Sequence, residues 1–177
     1  MAEIARLGRT WNTAAEAMDP EPRTFEELFE VERVRLFKLL FVMTGSRQEA
    51  EDVVQEAFLR VWQRWEIVGA LEDPTRYLHR TAVNLFRDRY RRALVAVRRA
   101  IKITPQPDAF ESADDRNLAA QILGGLSPRQ RAALVLTEAL GYSSDEAGRL
   151  LGIKGSTVRA LNFQARSALK GTVMTDG

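Results

Sequence analysis

The stretch SSDEAGRLLGIKGSTVRALNFQARSAL, residues 143–169, decides the fold. Ser143 with Glu146 three residues on is a capping box, in which side chain and backbone satisfy each other's spare donors at a helix start. Ala147, Leu150 and Leu151 then recur at helical spacing until Gly152-Ile153 breaks the run. The period resumes from Ser156 through Val158, Leu161, Ala165 and Leu169. Two helices on a tight turn follow, with Ala147, Leu150, Leu151, Ile153 and Val158 as the apolar hinge between them. The second helix of such a pair can enter a DNA major groove with its first turns against base edges. Lys154, Ser156, Thr157 and Arg159 stand at that leading end, with Asn162 and Arg166 further along. Arginine can hold guanine through two hydrogen bonds, while hydroxyls and helix-end amides suit phosphates. A plain helical hairpin with a glycine turn fits the same pattern, and the motif alone leaves both readings open.

Working outward, Ser127-Pro128-Arg129-Gln130 is another helix start, with proline at the first helical position. Pro105 and Pro107 in an acidic stretch mark a linker. Ahead of it, Asp73-Pro74 opens a helix carrying Tyr77, Leu78, Thr81, Leu85 and Phe86 on one side. Val53, Val54, Ala57, Phe58, Val61, Trp62 and Trp65 form an apolar stripe after the Ser46/Glu49 capping pattern. Thr24 with Glu27 caps the preceding helix, which carries Phe25, Leu28, Phe29, Leu36, Leu39, Leu40 and Met43 and is closed by Gly45. No run alternates with period two. The chain therefore reads as all-α: a flexible arm at 1–23, a helical domain at 24–95, a linker at 96–115, and a helix-turn-helix domain at 116–172.

Charge placement tells more than the net of +2. Residues 76–102 hold nine basic side chains against Asp88 alone, and residues 103–115 hold four acids and no base. Two basic blocks separated by an acidic spacer suit a polyanion partner. The helix after Pro74 presents Arg76, Arg80, Asn84, Arg87, Arg91 and Arg92, with Tyr77 and His79 among them. Aromatic rings beside cations are what a single strand needs, a stacking platform along a charged track; core packing of Tyr77 and a structural role for His79 are the alternatives. On the preceding helix, Asp52, Gln55 and Glu56 share a face that is either solvated or a partner surface. With no cysteine, one histidine and no glycine-rich phosphate loop, nothing points to a catalytic residue, a metal site or a cofactor. No run approaches the roughly 18–20 apolar residues that cross a bilayer, and the start lacks a signal peptide, so a cytoplasmic protein without membrane insertion is expected.

The motifs EAEDVVQEAFLRVW at 49–62, Pro74 to Arg92 with Asn84, Asp88, Arg91 and Arg92, LSPRQR at 126–131 and the terminal helix pair occur together in this order. The set resembles the extracytoplasmic-function sigma factors, the smallest members of the sigma-70 family of bacterial RNA polymerase, over residues 25–92 and 116–170. The resemblance implies that the helix with Asp52, Gln55, Glu56 and Arg60 docks on a coiled coil of core RNA polymerase while Val53, Phe58, Val61 and Trp62 stay in the core. It also implies that the loop at 67–73 and Arg76, Tyr77, His79, Arg80, Asn84, Arg87 and Arg91 melt and hold the minus-ten element. Lys154, Ser156, Thr157, Arg159, Asn162 and Arg166 would bind the upstream element as duplex. Promoter DNA, double- and single-stranded, and an anti-sigma factor are the further partners implied. The chain departs from the family at Leu161 and Gln164, where arginine is usual, and at Asn162, Lys154 and Tyr77. A free-standing helix-turn-helix regulator is the alternative, and it would bind duplex without polymerase.

Overall fold

The computed structural model describes residues 24–99 and 125–173, with side chains at 24–93 and 125–169. The expected arm at 1–23, the linker from residue 100 onward and the start of the second domain at 116–124 lie outside the described residues. The described helices fall into two compact units.

The first unit is built from α1 (Phe25–Thr44), α2 (Arg47–Trp62), the single turn α3 (Trp65–Val68) and α4 (Pro74–Arg99). Thr24 accepts from the Glu27 amide and Glu27 accepts from the Thr24 amide, so the capping box is complete. Gly45 closes α1 in the left-handed region, at φ 75°, where a side chain would be strained. Ser46 caps α2 through the Glu49 amide, and Asp73 Oδ1 accepts from the Arg76 amide at 2.6 Å to start α4. That helix continues through Arg99, into the first residues expected to be linker.

α1, α2 and α4 pack on one another around Leu28, Leu36, Leu39, Leu40 and Met43 from α1, Ala50, Val53, Ala57 and Val61 from α2, and Leu78, Ala82, Val83 and Leu85 from α4. Each such leucine or valine taken from water contributes about 1.5–3 kcal/mol, which makes this interior the main source of the unit's stability. Phe25, Phe29, Phe58 and Trp65 form an aromatic cluster, with Phe25 and Trp65 meeting edge to face at 5.7 Å.

Trp62 does not join that core: it is 59% exposed. It is the last residue of α2, and the chain turns into α3 immediately after it. Trp65, one turn further on, takes the place beside Phe25 instead.

A buried polar contact ties α1 to α4 in this unit. His79 Nε2 donates to Glu32 Oε2 at 2.8 Å, joining α4 to α1 with both residues buried. Arg35 approaches the other carboxylate oxygen at 3.3 Å.

The second unit begins at α5 (Pro128–Leu134), capped by a complete Ser127/Gln130 box. A π-helical segment, Val135–Ala139, continues it, with the Leu140 amide reaching Val135 O at 3.0 Å. Then come α6 (Ser144–Leu151) and α7 (Gly155–Val173). The Ser143/Glu146 box is complete, and Gly152 ends α6 at φ 69°. Leu126, Leu134, Ala165 and Leu169 form one buried cluster. Ala147, Leu150 and Val158 close the angle between α6 and α7.

Candidate nucleic-acid and partner interfaces

On α2, Asp52, Gln55 and Arg60 are exposed and Glu56 is half-buried. All four lie away from the stripe of Ala50, Val53, Ala57 and Val61 that enters the core. Leu59 and Trp62, exposed on the same helix, extend this face with apolar surface. The carboxylates carry their own cations. Arg60 reaches Glu56 Oε1 at 2.6 Å, while Arg89 of α4 spans Asp52 Oδ2 at 3.4 Å and Glu56 Oε2 at 3.0 Å. The hydrogen bond from Arg89 is the main reason the Glu56 carboxyl lies below its ordinary range; slight burial opposes it and Arg60 adds to it. Arg89 escaped the sequence reading because its partners sit on another helix and no local spacing announces them.

On α4, Leu78, Ala82, Leu85 and Phe86 face inward. Arg76, Arg80, Asn84, Arg87 and Arg91 recur every three or four residues along the opposite side. Arg76, Arg80 and Arg91 are exposed, Asn84, Arg87 and Tyr77 half-buried. Arg87 pairs with Asp88 at 3.5 Å. His79 does not belong to this surface. Only 5% of it is exposed and its ring is committed to Glu32, so its place among the bases in sequence does not become a place among them in space.

At α7, Lys154, Ser156, Thr157 and Arg159 are exposed around the first turns. Lys154 O accepts from the Thr157 and Val158 amides and so starts the helix. Arg159 pairs loosely with Asp145 of α6 at 3.6 Å, both side chains largely in solvent. Asn162 is a correction. It is 8% exposed and its Nδ2 donates to Thr137 Oγ1 at 3.0 Å, so it packs the helix rather than facing outward. Thr137 belongs to the π-helical segment and in turn donates to Ala133 O. Arg166 is exposed but forms an ion pair with Glu138 of the same segment, which anchors α7 to its neighbour.

Phe163 was missed by the sequence reading. It stands 74% exposed, the most exposed large apolar residue among those described. The signal was present, since Phe163 falls off the stripe of Val158, Ala165 and Leu169. Arg159, Ala160, Phe163 and Ser167 share the outward side at i, i+3 and i+4 spacing.

No helix among the described residues is long and apolar enough to cross a membrane. Residues 28–94 match Sigma-70 region 2, and residues 116–169 match Sigma-70, region 4. The chain is 32% identical to the ECF RNA polymerase sigma factor SigL of Mycobacterium tuberculosis over 166 residues, 89% of this chain and 93% of SigL. It is likewise 32% identical to the ECF RNA polymerase sigma factor SigE of Mycolicibacterium smegmatis over 163 residues, covering 83% of this chain but 60% of SigE. Among solved structures, CnrH in complex with the cytosolic domain of CnrY matches with a TM-score of 0.54 and 25% identity over 98% of this chain and 99% of CnrH. The fold is also that of the sigma factor RpoE bound to the anti-sigma factor NepR from Bartonella quintana, with a TM-score of 0.63 and 21% identity over 86% of this chain and 98% of RpoE. These likenesses run through both units, not the helix-turn-helix alone, which sets aside the free-standing regulator. The chain belongs to the extracytoplasmic-function sigma factors of the sigma-70 family, whose members direct transcription initiation and are not enzymes.

Proposed function

We propose that this chain docks on core RNA polymerase through the α2 face of Asp52, Gln55, Glu56 and Arg60, joined by Leu59 and Trp62. The outward side of α4 holds a strand of the melted minus-ten element, and the leading end of α7 reads the upstream element as duplex. The observation that carries the reading is the segregation of α4. One side is committed to the core with α1 and α2, while Arg76, Arg80, Asn84, Arg87 and Arg91 run along the other, next to the half-buried ring of Tyr77. A duplex opens at a cost of a few kcal/mol per unstacked step, and a basic track with an aromatic platform offsets it by stacking and by phosphate neutralisation. No chemistry is asked of the sigma factor itself, because the polymerase supplies it.

Phe163 adds to the duplex reading. In a major groove a phenyl ring packs against a thymine methyl, and Phe163 projects beside Arg159 and Ala160. Phe163→Ala is expected to lower promoter-specific run-off transcription several-fold and leave binding to core polymerase unchanged. Equal transcription from the variant would take Phe163 out of the interface. Because the solved relatives RpoE and CnrH are held by NepR and CnrY, we further infer an anti-sigma factor that covers these surfaces in the resting cell. The working compartment is the cytoplasm.

The test is reconstitution. The chain alone binds promoter duplex weakly, and with core polymerase it directs run-off from a specific start. Asp52→Ala combined with Glu56→Ala is expected to weaken binding to core polymerase roughly tenfold or more, the usual scale for charged groups removed from an interface. Hydrogen exchange in the core of α1 and α4 should not change. Unaltered polymerase affinity would leave the α2 face a solvated surface and reject the assignment.

A further inference from the structure

We propose that Arg89 is a built-in competitor for the acidic face of α2, and that a basic partner docks there by taking Asp52 and Glu56 away from it. The proposal rests on the reading of that face as the polymerase-binding surface. As a row of side chains the face is acidic, yet in the folded unit it is already neutralised. Glu56 Oε1 accepts from Arg60 at 2.6 Å and Oε2 from Arg89 at 3.0 Å, while the second arm of the Arg89 guanidinium lies 3.4 Å from Asp52 Oδ2. Among these four groups the two carboxylates are offset by two guanidinium groups, which weakens their attraction for a basic partner.

Arg89 also comes from the wrong side of α4 to serve the nucleic-acid stripe. It lies two residues past Arg87, roughly half a helical circuit away, on the side that packs against α2. Its planar fork reaches two carboxylates one turn apart, a geometry that arginine suits and lysine does not. The contacts are those of a reversible latch. Arg89 and Glu56 are each a third exposed and Asp52 about half, so water can replace every bond as it breaks. A partner whose cations arrive together with apolar contacts to Leu59 and Trp62 has the advantage over a lone guanidinium. The latch therefore sets a threshold: weakly basic surfaces do not displace it, and a complementary one does.

Arg89→Gln, measured in the full chain with purified core RNA polymerase, is expected to raise affinity about 3- to 10-fold at low ionic strength, the range of two exposed ion pairs. The gain should appear as faster association and shrink with added salt. Arg89→Lys, which keeps the charge but cannot span both acids, should fall between. In the Asp52→Ala, Glu56→Ala background, Arg89→Gln should change nothing. Affinity equal to or below the parent chain, with circular dichroism and thermal unfolding unchanged, overturns the competitor role and makes Arg89 a support for the face. If Arg89→Gln loosens the fold, Arg89→Lys decides, since a support predicts a loss and a competitor a gain. Should the double alanine variant bind polymerase as tightly as the parent, the underlying surface assignment fails; if that variant loses binding while Arg89→Gln is neutral, only the latch does.

Discussion

Glu32→Ala is expected to destabilise the first unit by about 3–5 kcal/mol, the scale for removing one partner of a buried ion pair. The substitution removes few apolar contacts. Its effect comes from what stays behind. Glu32 is 2% exposed and accepts from His79 Nε2 at 2.8 Å and from Arg35 at 3.3 Å, so alanine leaves an imidazole inside the three-helix interior without its acceptor. Glu32→Gln keeps an acceptor and should lose only roughly 1–2 kcal/mol. Hydrogen exchange of the core amides of α1 and α4 in the full chain reads both losses directly, without assuming one transition for two units. A deficit under about 1 kcal/mol for Glu32→Ala would mean that water replaces the carboxylate and that the contact is ornamental.

The same pair fixes a pH dependence. Burial by itself raises the Glu32 carboxyl, but the hydrogen bond and charge of His79, with Arg35 behind them, outweigh it and leave the group below its usual value of 4.5. A group depressed on folding stabilises fully above its unfolded value, and that stability is lost as pH falls through the folded one. The first unit is therefore expected to begin losing this contribution as pH falls through about 4.5 and to have lost it once pH is below the depressed folded value, and Glu32→Gln should flatten that decline.

What could be read from the sequence, and what could not, divides by distance along the chain. Thr24 with Glu27, Ser127 with Gln130 and Ser143 with Glu146 are each complete within four residues, and each forms the reciprocal bonds its spacing implies. Ser46 with Glu49 delivers only half of its box, since the serine accepts while no return bond to its own amide forms. Apolar period locates the inward side of every helix because burial repeats with the helix turn. It fails at ends, where Trp62 has the right spacing but no neighbour to cover it. It also fails for polar residues whose partners are remote. His79 meets Glu32 across 47 positions and Asn162 meets Thr137 across 25, and no local pattern distinguishes a buried, satisfied histidine or asparagine from an exposed one. The π-helical segment was invisible for a related reason: it adds a residue to one turn, and nothing in the local apolar spacing marks where that extra residue falls. Of the candidate surfaces, the outward arginines of α4 and the leading end of α7 were legible; the neutralised state of the α2 face was not, because Arg89 reaches it from 33 and 37 positions away.

Gly148→Ala sets two familiar effects against each other. In a helix interior alanine is favoured over glycine by about 1 kcal/mol, so propensity alone predicts a gain. Here a methyl group on residue 148 would lie 2.7 Å from Ile153 O, 2.9 Å from Gly155 N and 3.1 Å from Lys154 C. All three are backbone atoms, two from the turn after α6 and one from the first residue of α7, and no rotamer moves them aside. Relief requires shifting the first turn of α7, which breaks the 2.9 Å bond from the Ile153 amide to Gly148 O and lifts Val158 from its buried seat. Overpacking of this kind costs about 1–3 kcal/mol, and with backbone on the far side the upper end is expected, leaving a net loss after propensity. Lys154, Ser156, Thr157 and Arg159 move with that turn, so transcription that depends on the upstream element should fall tenfold or more. Affinity for core polymerase, which is proposed to engage the other unit, should not change. Gly125→Ala is the matched control, since nothing lies within 4 Å of its added carbon. A Gly148→Ala chain as stable and as active as the parent would mean that the two helices approach each other less closely than these distances require, and that the seating of α7 does not depend on a bare backbone at this position.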